Sequence, residues 1–120
     1  ADSASPGGDS LATMSIKVEL DDLPRVLGDF DAGYLLTVDP AGSPARVKVV
    51  SVRPSPGDGE LRITAPGRGS LANVRANPAV TLLWPPREAG GMSLIVDGSA
   101  AVDGEDVRVT PAGGVLHKPA

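Results

Sequence analysis

Hydrophobic residues in this chain come in short runs with a two-residue period, broken every few positions by Gly, Pro, Asp or Asn. That spacing predicts strands. GYLLTVD (33–39) reads as a strand closed by the tight turn PAGS (40–43). ARVKVVSVRP (45–54) is a longer second strand, whose alternation sets Val47, Val49 and Ser51 on one face and Arg46, Lys48 and Val50 on the other. SPGDG (55–59) turns into a third strand, ELRIT (60–64), and AVTLLW (79–84) is a fourth, stopped by Pro85-Pro86. MSLIVDGSAAV (92–102) is a fifth, with a bulge expected at Asp97-Gly98, and DGED (103–106) turns into a sixth, VRVT (107–110). IKVEL (16–20) alternates as well and is a candidate short strand.

Two segments follow a helical period instead. From Asp22 to Phe30, Leu23, Val26, Leu27 and Phe30 share one face, Asp22 stands at the N-cap position, and Pro24 falls in the first turn, where a missing N–H costs little. Ser70 to Ala76 reads as one or two turns ended by Asn77-Pro78, because the residue before proline avoids the α region. Six closely spaced strands with two short helices predict an all-β domain, an antiparallel barrel or sandwich. Residues 1–15, small, polar and rich in Gly and Pro at their start, are expected to be disordered, with one domain over 16–120.

Composition narrows the chemistry. Phe30, Tyr34 and Trp84 are the only aromatic residues, so the core must be built from aliphatic side chains. The absence of cysteine excludes disulfides, thiolate metal sites and cysteine nucleophiles. His117, the single histidine, cannot build a multi-histidine zinc site, and the Gly-x-Ser-x-Gly frame of a serine hydrolase is missing. Asp103, Glu105 and Asp106 span a turn and read as solvated, so no metal is expected. Trp84, at a strand end before two prolines, reads as a core or subunit-interface residue. No apolar run is long enough for a membrane span and no secretory signal is visible, so a cytoplasmic address is expected.

The net charge of −4 speaks against a general nucleic-acid binder. Its distribution is uneven. Residues 1–40 hold two bases against eight acids and residues 85–120 three against five, whereas residues 41–84 hold six bases against two acids. Two readings stay open for this basic island: charged strand edges that discourage edge pairing, or a local anion site. The second finds support in ELRITAPGRGSLANVRANPAVTLLW (60–84), where a strand enters a glycine-containing loop that opens a short helix. Gly67 and Gly69 allow close backbone approach, Arg68 and Ser70 supply donors, and a helix N-terminus favours anions. The loop is not a Walker A motif, because the Gly-Lys-Ser/Thr ending is missing.

Taken together, GYLLTVDPAGSPARVKVVSV, GELRITAPGRGSLANVRANPAVTLLW and GGMSLIVDGSAAVDGEDVRVT resemble the small pyridoxamine-phosphate-oxidase-like flavin proteins, over about residues 22–117. The resemblance rests on the Arg-led second strand, the strand-ending Thr64, the loop–helix, and the Asn-Pro before a hydrophobic strand. It implies a six-stranded antiparallel split β-barrel of the FMN-binding type, assembled as a homodimer with FMN, or in some branches F420, in grooves between the subunits. By the same resemblance, Arg46 and Lys48 lie on the strand that reaches the flavin phosphate or ring edge. Ile63 and Thr64 fall at the strand end that meets the isoalloxazine, and Arg68, Gly69 and Ser70 fall in the phosphate loop. In the oxidase itself this loop reads Ser-Arg-Lys, so one base remains here where that pattern has two. The oxidase's C-terminal Arg-x-His segment, which grips the vitamin phosphate, has no counterpart in VTPAGGVLHKPA, which argues against pyridoxamine phosphate as substrate. The expected activity is a flavin-dependent oxidoreductase acting on a small-molecule substrate, without nucleic-acid or membrane partners. The alternatives are an F420-dependent reductase of the same fold and a non-enzymatic flavin-binding or scaffold protein. No catalytic side chain is expected, since in such proteins the cofactor carries the chemistry.

Overall fold

The computed structural model describes residues 14–118. They form eight strands in one antiparallel sheet: β1 (Met14–Val18), β2 (Gly33–Asp39), β3 (Arg46–Val52), β4 (Ser55–Gly57), β5 (Glu60–Ile63), β6 (Ala79–Trp84), β7 (Ser93–Asp103) and β8 (Asp106–Lys118). A 3-10 turn (Leu20–Asp22) leads into helix α1 (Leu23–Leu27), and helix α2 (Arg68–Ala76) joins β5 to β6. The strand order is β3-β2-β6-β7-β8-β5-β4, with β1 also on β8. Among the described residues β3 and β4 are not hydrogen-bonded to each other, although only Arg53 and Pro54 separate them in the chain. The sheet curls into a barrel that is split there.

The expected count of six strands becomes eight for two reasons. IKVEL does form a strand, but shifted to Met14–Val18, where it pairs with the far end of β8 (Val18 opposite Gly114). The three-residue β4 lies inside the expected turn SPGDG and forms by pairing Pro56 with Leu61 across the bend at Asp58 and Gly59, both at positive φ. The sixth expected strand, 107–110, continues to Lys118. Pro-Ala-Gly-Gly reads as a loop in isolation, yet β7 holds it along one edge. The bulge expected at Asp97-Gly98 is present as a register shift against β8. Of the N-terminal segment expected to be disordered, residues 1–13 lie outside the described residues, and Met14 and Ser15 pair with Lys118 and His117.

The expected helix over 22–30 shortens to the 3-10 turn and α1. Asp22 makes no capping hydrogen bond, because the 3-10 turn before it already occupies the entry to the helix. Its apolar face is as the period predicts: Leu23 and Val26 are buried, and Leu27 and Phe30 pack against the core. That core is aliphatic and centred on Leu35, Leu61, Ile63, Leu82, Leu94 and Val96, with the Trp84 ring beside it. Among the described residues no helix is long and apolar enough to cross a membrane.

Close packing fixes the bulge. A Cβ at Gly98 would lie 2.6 Å from the Thr110 carbonyl oxygen, a backbone atom that cannot swing aside. We expect Gly98→Ala to cost about 1–3 kcal/mol in urea unfolding. Gly57→Ala, with open space around its Cβ position, should stay within about 1 kcal/mol of the parent. Equal losses in the two variants would refute the packing account.

Candidate functional site

β3 runs past the end of the core. On its inward face Val52 is buried and Val50 half-buried, while Lys48 and Arg46, the next two residues of that parity, are exposed. The strand that closes the core therefore carries two bases beyond it. Helix α2 docks over this end with Ser70, Leu71 and Val74 buried beneath it. A hydrogen bond fixes its position: Asn73 Nδ2 donates to Thr37 Oγ1 at 3.1 Å. Thr37 is fully buried and stands opposite Lys48 in the β2–β3 register, so this bond sets α2 beside Lys48.

The consequence appears at Gly69, the second residue of α2. A Cβ there would lie 2.8 Å from Lys48 Cε and 3.1 Å from Nζ, so the lysine tip occupies the space a side chain would need. Lys48 thus meets the first turn of the helix, whose leading N–H groups are its positive end, and Arg68 is the first residue of that turn. No ion pair engages Lys48 or Arg68 among the described residues. Bringing an ammonium to the positive end of a helix is unfavourable unless an anion joins them. The preceding loop holds Gly67 at φ 106 and Ala65 at φ 44, with the Ala65 N–H donating to Asp106 Oδ1 at 3.0 Å. A cleft of about 340 Å³ lies beside this loop, lined by Ala65, Gly67, Arg68, Leu71 and Glu105.

The seven residues expected in the site separate into groups. Lys48, Gly69 and the neighbouring Arg68 come together, and Arg46 extends the row of bases along β3. Thr64 is exposed immediately after β5. Ile63 is sealed in the core, and its strand position pairs with Val107, which leaves only backbone at that strand end. Ser70 is fully buried, and its Oγ has no hydrogen-bond partner among the described residues. The basic island also loses a member. Arg62 stands directly opposite Arg108, and the like-charge pair is neutralised by Asp103, 2.8 Å from Arg62, with Asp106 and Glu60 close by. Asn73 and Thr37 escaped the sequence reading. The signal was available in parity: Thr37 shares the inward face with Leu35, and Asn73 sits among the buried positions of α2.

No protein-family model matches the chain. Among solved structures, a FAD-binding protein from Mesorhizobium loti superposes with a TM-score of 0.63 at 16% identity, covering 88% of this chain and 98% of that one. The FAD-binding protein from Mycobacterium smegmatis gives 0.62 at 16% identity, covering 87% of this chain and 98% of that one. A Listeria innocua protein provisionally described as a pyridoxamine 5'-phosphate oxidase gives 0.64 at 15% identity, covering 81% and 96%. The chain thus has the split-barrel fold of the pyridoxamine-phosphate-oxidase-like proteins. Within that fold it belongs to one family with the uncharacterized proteins Mb0449c of Mycobacterium bovis and MT0457 of Mycobacterium tuberculosis. It is 35% identical to each over 120 residues, covering 87% of this chain and 82% of the relative.

The polar layer under α2 gives opposite expectations for two substitutions. Ser70→Ala removes a buried hydroxyl without a partner and should leave stability unchanged or raise it by up to about 1 kcal/mol. Thr37→Val strands the Asn73 amide and should cost about 1–3 kcal/mol. Urea midpoints of the cofactor-free protein check both, and a loss in Ser70→Ala comparable to that in Thr37→Val would show that Ser70 has a partner after all.

Proposed function

We propose that this protein is a flavin-dependent oxidoreductase that binds FMN as a homodimer and acts on a small-molecule substrate. The observation that carries the reading is the approach of Lys48 to Gly69 beside Arg68, at the head of a nine-residue helix. A phosphate monoester carries up to two negative charges and suits charge-assisted donors of this kind. The donor set fits the phosphate of a flavin nucleotide: Lys48 and Arg68 would hold it, Arg46 would extend the positive field, and Thr64 would face the ring from the end of β5. Two structurally similar proteins are described as FAD-binding, which favours a flavin at this fold. When bound, the flavin supplies hydride or electron transfer, and the residues named here bind and orient it. F420, which also carries phosphate, could use the same donors in a reductase.

The sheet's outer face supports the homodimer. Val47 and Val49 are 60% and 55% exposed, and Leu36, Val38, Leu83, Ile95 and Val115 continue the apolar surface across β2, β6, β7 and β8. An uncovered apolar sheet face of this breadth fits a subunit interface. A second reading, a flavin-binding or scaffold protein without turnover, is favoured by the sealed Ser70 hydroxyl and by Glu105, an acid lining the same cleft as Arg68.

Titration of the purified protein with FMN, FAD and F420 in parallel, followed by absorbance and fluorescence, tests the cofactor. Arg68→Ala should loosen flavin binding by roughly 1.5–3 kcal/mol, with added salt weakening it further. Arg108→Ala should change almost nothing, its guanidinium being engaged with Glu60 and Asp103. Equal binding by both variants would overturn the phosphate assignment, and failure of the unmutated protein to bind any of the three would leave the scaffold reading.

Light scattering at micromolar concentration should give a dimer mass. The double variant Val47→Lys/Val49→Lys should give a monomer, since each valine contributes roughly 1–2 kcal/mol of apolar burial that a lysine forfeits. A monomeric parent protein, with or without flavin, would dispose of the interface.

A further inference from the structure

A larger cleft, of about 580 Å³, opens between the start of α1 and the β4–β5 hairpin. None of the residues expected to hold a cofactor lines it. Leu23 and Leu61, both almost fully buried, form its floor, and Leu20, 44% exposed, stands at its edge. Pro24, Pro56 and Pro111 stiffen its walls and offer no N–H donors. The hairpin bends sharply at Asp58 and Gly59, at φ 54 and 75, which fixes the far wall.

Its charge is one-sided. Asp21, Asp58 and Glu60 line it, and among the described residues lining it none is a base. Glu60 has a loose contact with Arg108 at 3.8 Å, while Asp21 and Asp58 form no ion pair among the described residues. An apolar floor with charged groups of a single sign at the rim selects by both hydrophobicity and charge, and 580 Å³ is within the usual range for small-molecule sites. Residues 1–13 contain two acids and no base, so that segment does not complement the cleft.

We propose that this cleft binds a small organic cation: an amine with an apolar body that lies on Leu23 and Leu61 and a protonated nitrogen held among Asp21, Asp58 and Glu60. The site is separate from the flavin reading and stands or falls without it.

Three probes of similar shape separate charge from bulk: 4-phenylbutylamine, 4-phenylbutanol and 4-phenylbutyrate. Each is titrated into the 15N-labelled full chain, with amide shifts followed by NMR at low and high salt. The amine should move the amides of Leu20, Asp21, Gly57 to Leu61 and Thr110 as one saturable set, while the carboxylate leaves them in place. Asp21→Asn/Asp58→Asn should weaken amine binding by about four- to twenty-fivefold, each exposed pair being worth about two- to fivefold. Leu20→Arg, at an exposed position that leaves the core intact, should abolish it. Arg68→Ala should leave it unchanged whether or not flavin binds. Equal binding of amine and carboxylate, or shifts scattered outside the cleft, would overturn the proposal. So would amine binding that appears only after removal of residues 1–13, which would assign the cleft to that segment. Loss of the dimer in Leu20→Arg would assign it to a second copy and overturn the proposal equally.

Discussion

A strand presents its side chains to two faces in strict alternation, and in β2 both faces are committed. Inward, Gly33 receives the Trp84 ring, so close that a Cβ would lie 2.7 Å from Nε1. Leu35 fills the core at the next inward position, and Thr37 at the one after accepts the hydrogen bond that seats α2. Outward, Tyr34, Leu36 and Val38 join the valines of β3 in the exposed apolar face. A one-residue slip would exchange the two sets, exposing Leu35 and turning Tyr34 into the space Gly33 leaves for the tryptophan. The core, the placement of the loop–helix and the outer face therefore share one register.

Because β3 pairs with β2 along its whole length, it inherits that register. Its inward bases lie where the aliphatic core has ended, and α2, seated by buried Leu71 and Val74 and by the Asn73–Thr37 hydrogen bond, reaches Lys48. Lys48 and Arg68 are twenty residues apart in the chain, and among the described residues neither forms an ion pair. The contrast with Arg62 and Arg108 is instructive. Those two also confront each other across strands, but Asp103, Asp106 and Glu60 surround them, so their charge is spent within the fold.

Much of this was legible in the chain, and the limits have physical causes. Alternation located β2, β3, β5, β6 and β7 and the parity of β3, since these strands carry enough β-branched and aliphatic residues to declare themselves. Parity alone does not say which face meets the core: Val47 and Val49 look like core residues in sequence, and the structure turns them outward. β4 and the latter half of β8 were missed because Ser-Pro-Gly and Pro-Ala-Gly-Gly have turn chemistry. Their extended form comes from partners far away in sequence, where tertiary pairing overrides local preference. At the candidate site, the loop–helix was visible as a glycine-containing signal, but burial of Ser70 and Ile63 depends on how α2 and β5 pack. Asn73 was overlooked because a lone polar residue in a helix carries no label for its partner.

The long β8 has a further consequence, for the order in which the barrel can be built. It pairs with β7 along one edge and with β5 and β1 along the other, and β1 meets it about a hundred residues away in the chain. During synthesis, the β2–β3 hairpin and the β6–β7 hairpin can pair as soon as they emerge from the ribosome. β1, and the edge of β5 that β4 does not take, must wait unpaired until residues 107–118 have been made. Closure of the barrel is then a late event: β1 waits through most of the described chain and β5 from residue 63 to 107, and a chaperone or a neighbouring nascent chain could engage either in that interval.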